Sequence, residues 1–136
     1  MLVEEVVVWP KLKPNVKAKW LEALRSGKYP QGEAALRTRM PNGTDSFCCL
    51  GVLCDVLSPN EWSPEPAGSK RNLITFQPSP VFMGWSAFLP NRLMQEQFIG
   101  AENSGLPHKL QLHLGSMNDK DHKSFAEIAQ WIEENL

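Results

Sequence analysis

The chain has almost no net charge, few cysteines and no long apolar run, and each shortage removes a class of function. Fourteen basic residues against fifteen acidic ones leave a formal charge of -1. No global field therefore draws the protein to nucleic acid or to a membrane surface, and none marks it as an acidic mimic of DNA. Cysteine numbers three, an odd count, with two residues adjacent and all three inside one apolar stretch. A secreted disulfide scaffold has spaced, even cysteines instead, so reduced thiols and a cytoplasmic location are expected. The only apolar stretch near the start, Val6-Val7-Val8-Trp9, is short for a membrane span, and Glu4 and Glu5 stand where a signal peptide carries basic residues. Neither G-x-x-x-x-G-K-[ST] nor G-x-G-x-x-G occurs, which excludes the nucleotide enzymes built on those loops. Cys-x-x-Cys and His-x-x-x-His spacings are missing too, so no metal site or cofactor is expected.

What remains is an ordinary globular composition: 136 residues, 42% hydrophobic and 21% charged. That length suits one domain spanning residues 1–136, able to bury roughly two-thirds of its unfolded surface. Charge is unevenly spread. From Lys11 to Arg39 there are eight basic residues against two acidic, a local +6. Solvated lysines on a helix face account for such an excess, and so does a site for an anion.

Periodicity organises the chain. Leu2 to Trp9 reads as a short strand closed by Pro10. Val16, Trp20, Leu21 and Leu24 recur at helical spacing up to a stop at Ser26-Gly27. Ala35 to Arg39 runs into Pro41-Asn42-Gly43-Thr44, and Asn-Gly between two potential strands signals a hairpin. Asp45 or Ser46 then reads as the cap of a helix from Phe47 to Leu57, apolar on most sides and hence buried. Its narrow stripe of Cys48, Gly51 and Asp55 implies another backbone close to Gly51. Residues 58–80 read as a long Pro-rich loop holding one edge strand within Asn72 to Gln77. Pro80 to Met94 fits a short helix or packed turns. Pro107 to Met117 favours a helix, although Leu110 to Leu114 also alternates like a strand. Ser124-Phe125-Ala126-Glu127 is a capping box opening a helix with Phe125, Ile128, Ala129, Ile132 and Leu136 on one stripe. The fold expected is a mainly helical α+β domain with a small antiparallel sheet or hairpin.

Several segments taken together resemble a family of small, functionally uncharacterised proteins encoded by phages and prophages. They are Trp20 with Ala23 to Tyr29 and Gln31-Gly32, Ala35-Leu36-Arg37, Phe47 to Asp55, Asn118-Asp119, and Ser124-Phe125 with Ile128-Ala129. The resemblance implies a viral or prophage origin and one domain. It brings no established reaction, and accessory proteins of that kind commonly bind a host protein or a nucleotide signal.

Three chemistries compete for the remaining residues. Cys48 or Cys49 near a helix start could be a nucleophile with a histidine such as His113, because helix amides favour a thiolate. Fully apolar neighbours argue for core thiols instead. Asp119 and Asp121 could hold a cation, but a turn leading into a capping box explains them. Arg25, Tyr29, Gln31, Arg37 and Arg39 could form a pocket in which guanidiniums grip phosphate and an aromatic ring stacks on a base. The competing structural reading has Arg25 at a helix end and Arg37 paired across the hairpin. Five tryptophans are many for this length. Trp62, in the Pro-rich loop, and Trp131, off its helix stripe, could reach a partner subunit. The function expected is a non-catalytic phage accessory protein binding a host protein or an anionic small molecule. The alternatives are a cysteine hydrolase and a structural or assembly protein that forms homo-oligomers.

Overall fold

A computed structural model describes residues 8–40, 42–60, 62–64, 74–76, 89, 91–100 and 105–136. The first strong helical stripe becomes α1, Pro14–Arg25, which buries Val16, Trp20 and Leu24. Pro14 opens it, since proline at the first position lacks only an amide that would be unpaired there anyway. The apolar segment becomes α2, Cys49–Leu57, with Cys49 through Cys54 buried. The capping box forms as read and starts α5, Phe125–Asn135, where Ser124 accepts from the Glu127 amide. Between them lies α4, Leu106–Asp119, which resolves the helix-or-strand ambiguity. The apparent alternation at Leu110 to Leu114 arises because Leu112 faces outward, 49% exposed, while Leu110, Gln111 and Leu114 point inward. Gln111 is fully buried and bonds both the amide and the carbonyl of Leu89, so its polar ends are satisfied there.

α1 packs against α5 and α2, and α2 against α4, which places α2 at the centre. Trp20 joins the first two helices inside the core, its indole N–H donating to the Cys49 carbonyl at 3.1 Å. One apolar cluster runs from Leu12 to Leu136. The small stripe of α2 also behaves as its composition implies. An added Cβ at Gly51 would lie 2.6 Å from the Leu36 carbonyl carbon and closer still to its oxygen, so only glycine fits under that stretch of main chain.

The β structure is three two-stranded antiparallel pairs among the described residues. β2, Arg37–Arg39, and β3, Asp45–Phe47, form the expected hairpin, with Gly43 at φ +87° in its turn. Asp45 and Ser46 are therefore strand residues, and the helix cap falls to Cys48, whose sulfur accepts from the Gly51 amide at 3.4 Å. The expectation of an aspartate or serine cap starting a helix at Phe47 is thus corrected by two residues, because ladder pairing holds the chain extended through Phe47. β1, Lys11–Leu12, pairs with β6, Phe98–Ile99. The strand read at Leu2 to Trp9 lies outside the described residues except Val8 and Trp9, which are in no strand. The Pro-rich region holds two strands rather than one: β4, Trp62–Pro64, paired with β5, Ile74–Phe76. Of Pro80 to Met94, the described part contains the start of the short helix α3, Asn91–Gln95. No helix among the described residues is long and apolar enough to cross a membrane.

Candidate functional site

Alternation along β2 puts Arg37 and Arg39 on one face, and antiparallel pairing sets Asp45 opposite Arg39 and Phe47 opposite Arg37. Both guanidiniums consequently converge on one carboxylate. Arg37 Nε donates to Asp45 Oδ2 at 2.8 Å, and Arg39 Nε donates to Oδ1. Burial pushes the Asp45 carboxyl up, but the hydrogen bonds from Arg39 and Arg37 and their charges outweigh it and hold the group below the usual carboxylate range. The Arg37 guanidinium also lies over the rings of Phe47 and Trp62, 5.0 and 5.2 Å from their centroids. Arg37 is mostly covered, whereas 55% of the Arg39 side chain is exposed.

The aromatic side of the cluster continues to α2. Tyr29 meets the Phe47 ring edge-on at 5.0 Å, and Phe47 meets Trp62 in the same manner at 6.1 Å. The Tyr29 hydroxyl donates to Asp55 Oδ2 at 2.5 Å, and the Trp62 indole N–H donates to Oδ1 at 3.0 Å. Asp55 thereby ties the approach to the hairpin and the β4 strand to the last turn of α2. Burial, then the hydrogen bond to Asp55 and its negative charge, push the Tyr29 hydroxyl up to about 12 against the opposing charge of Arg37.

The five residues expected to hold a ligand are thus divided. Tyr29, Arg37 and Arg39 share one cluster. Arg25, the last residue of α1, lies elsewhere, donating to Glu133 at 3.1 Å and to Gln130 at 3.4 Å, so it clamps α1 to α5. Gln31 has its side chain turned to the α4–α5 junction, where its amide donates to Asn118 at 2.9 Å and to the Lys123 carbonyl at 2.7 Å, and accepts from the Phe125 amide at 3.1 Å. Asn118 is buried and donates on to the Gly32 carbonyl. The segments Gln31-Gly32, Asn118-Asp119 and Ser124-Phe125, far apart in the chain, therefore meet in one polar knot that orients the last helix.

The thiol chemistry finds no support in this geometry. Cys48, Cys49 and Cys54 are buried and unpaired. Burial pushes the Cys48 thiol up to about 12 and those of Cys49 and Cys54 well above their usual value, so the nucleophilic thiolate is suppressed. The Cys49 S–H is turned to the Leu114 carbonyl at 3.6 Å. His113 packs with Trp9 and Trp131 in a cluster of three rings, its centroid 5.5 and 4.7 Å from theirs and the two indoles 5.9 Å apart, so its imidazole is engaged with tryptophans. Among the described residues no group of three or more His, Cys, Asp or Glu is placed to hold a metal ion.

Asp45, Asp55 and Trp62 escaped the sequence reading as members of a site. The Asn-Gly turn carried a signal for Asp45, since it sets which residue faces Arg39. Nothing local points Asp55 or Trp62 at Tyr29.

A family model described as a domain of unknown function, DUF8296, matches residues 12–136. The chain belongs to the DUF8296 family. No curated protein and no solved structure matches it. The DUF8296 match begins within β1 and takes in the whole arginine and aromatic cluster, the buried thiols and the polar knot, and it leaves Trp9 outside.

Proposed function

We propose that this DUF8296 domain is a non-catalytic accessory protein of phage or prophage origin. It acts in the host cytoplasm by binding an anionic small molecule such as a nucleotide signal, or an acidic surface of a host protein, through the β2–β3 face. The observation that carries this reading is the convergence of Arg37 and Arg39 on a single carboxylate beside aromatic rings packed edge to face. Guanidinium forks shaped around Asp45 also suit a phosphoryl or carboxyl group of a ligand. Arg39, the more exposed partner, meets the anion first, while Arg37 is held in register by Phe47 and Trp62. The phage origin rests on the resemblance of the quoted segments. The buried thiols speak against a cysteine hydrolase, and the rings of Trp62 and Trp131 pack within the chain, which leaves the assembly reading without a specific observation.

Titration calorimetry with nucleoside mono- and polyphosphates at low and high salt tests the binding. Saturable binding that weakens with salt and falls at least tenfold in Arg39→Ala, with an unchanged melting temperature, is expected. An Arg39→Ala protein that binds as tightly as the native one sinks the proposal. Mass spectrometry of the protein purified from phage-infected cells separates a co-purified nucleotide from a host protein, and finding neither would count against both.

A further inference from the structure

A cleft of about 250 Å³ lies where the last turns of α1 and α2 meet, lined by Lys19, Glu22, Ala23, Ser26, Lys28, Tyr29 and Val56. Four of these, Lys19, Glu22, Ala23 and Ser26, follow the i, i+3, i+4, i+7 spacing and form one stripe of α1 beside its buried stripe. The cleft is preformed on one side. The Tyr29 ring is fixed at its hydroxyl by Asp55 and by its perpendicular contact with Phe47, and the Ser26 hydroxyl donates to the Ala23 carbonyl at 2.7 Å while accepting from the Lys28 amide at 3.1 Å.

The polar groups left over carry both signs. Lys19, Glu22 and Lys28 are all exposed, and none closes an ion pair among the described residues, although Lys19 and Glu22 are three apart on one helix. The carbonyl ends of α1 and α2 both reach this place and add partial negative charge. A cation is thus favoured near Glu22 and the helix ends, an anion near the two lysines, and an apolar body between Ala23, Val56 and the Tyr29 ring. We infer that the cleft binds a small zwitterion with an apolar side chain, of the α-amino acid class. The cleft shares the Tyr29 ring with the β2–β3 cluster, but neither Arg37 nor Arg39 lines it, so Arg39→Ala separates the two sites.

The test uses the full chain and leucine as probe, with isocaproate, which lacks the amine, and isoamylamine, which lacks the carboxylate. Nitrogen-15 amide spectra should show saturable shifts at Ala23, Ser26, Lys28 and Val56 with leucine, at a dissociation constant on the order of millimolar, as suits so small a ligand in an open cleft. Each analogue should bind at least tenfold more weakly. Glu22→Gln and Lys28→Met, both at exposed positions, should each lose tenfold or more without a change in melting temperature. Arg39→Ala should bind leucine as the native protein does. Isocaproate binding as tightly as leucine, shifts that do not saturate, or full affinity in both Glu22→Gln and Lys28→Met overturns the assignment.

Discussion

Gly51→Ala sets two physical effects of opposite sign against each other. In an exposed helix interior the change stabilises by about 1 kcal/mol, because alanine loses less backbone entropy on folding. At Gly51 the new methyl carbon would stand 2.6 Å from the Leu36 carbonyl carbon, inside any tolerated contact, and a tight 3.1 Å from its Cα. Relief needs a shift on the order of an ångström, since carbon contacts settle near 3.5 Å. Neither side can give easily. Leu36 is fully buried, and α2 is wedged by Cys49, Leu50, Val52, Leu53 and Cys54, each at most 1% exposed. Overpacking where side chains can adjust costs about 1–3 kcal/mol, and a clash with main chain belongs at or beyond the top of that range. We expect a net loss of about 3 kcal/mol, a large part of the 5–15 kcal/mol typical of a domain. In urea unfolding followed by tryptophan fluorescence, a slope of about 2 kcal/mol/M converts that loss into a midpoint lower by roughly 1.5 M. A Gly51→Ala protein as stable as the native one, with an unchanged slope, would falsify the close approach of α2 to the Leu36 main chain.

Three further outcomes follow from the ionisable groups. Tyr29 is the sole tyrosine, so its ultraviolet titration is unobscured; a midpoint near 12 is expected, moving back toward 10 in Asp55→Asn. Because that hydroxyl is raised in the folded state, its contribution to stability is complete below pH 10 and is lost as pH rises from 10 to about 12, which base unfolding of the two proteins can check. For Asp45 the direction is opposite: the folded carboxyl lies below its ordinary 3.8, so its contribution is present above that value and is lost as pH falls through the folded one. Asp45→Asn should therefore flatten the acid limb of the melting-temperature profile, and an unaltered acid limb would remove the Arg37–Asp45–Arg39 cluster from the account. With the Cys48 thiol near 12, only about one thiol in ten thousand is ionised at pH 8, against about one in ten for an ordinary 9.0. Iodoacetamide should leave the native protein unlabelled and modify it readily in urea; rapid native labelling would reopen the cysteine hydrolase reading.

Local pattern carried most of the helical frame. Val16, Trp20 and Leu24 announced α1, and Ser124 with Glu127 announced α5, because a repeat near 3.6 and a cap are properties of a single segment. Gly51 even disclosed a neighbour, since a glycine on the small stripe of a buried helix has few other uses. The errors fell where pairing partners compete. Asp45 suits a helix cap by residue type, and the ladder with Arg39 overrode that preference. β4 was overlooked because three residues ending in Pro64 have no period to read, and the pairing of β1 with β6 joins segments far apart in the chain.

The sites divide along the same line. From residue types and order alone came the basic excess, the arginines and tyrosine worth testing, the buried character of the thiols and the missing nucleotide loops. Which charge meets which was decided only by the tertiary structure: Arg37 and Arg39 with Asp45, Tyr29 and Trp62 with Asp55, Arg25 with Glu133, and Gln31 with Asn118. The physical reason is that burial of a face is a sum over one segment and leaves a period in the sequence. A hydrogen bond depends on a few tenths of an ångström between groups brought together by the packing of separate segments, and it leaves none.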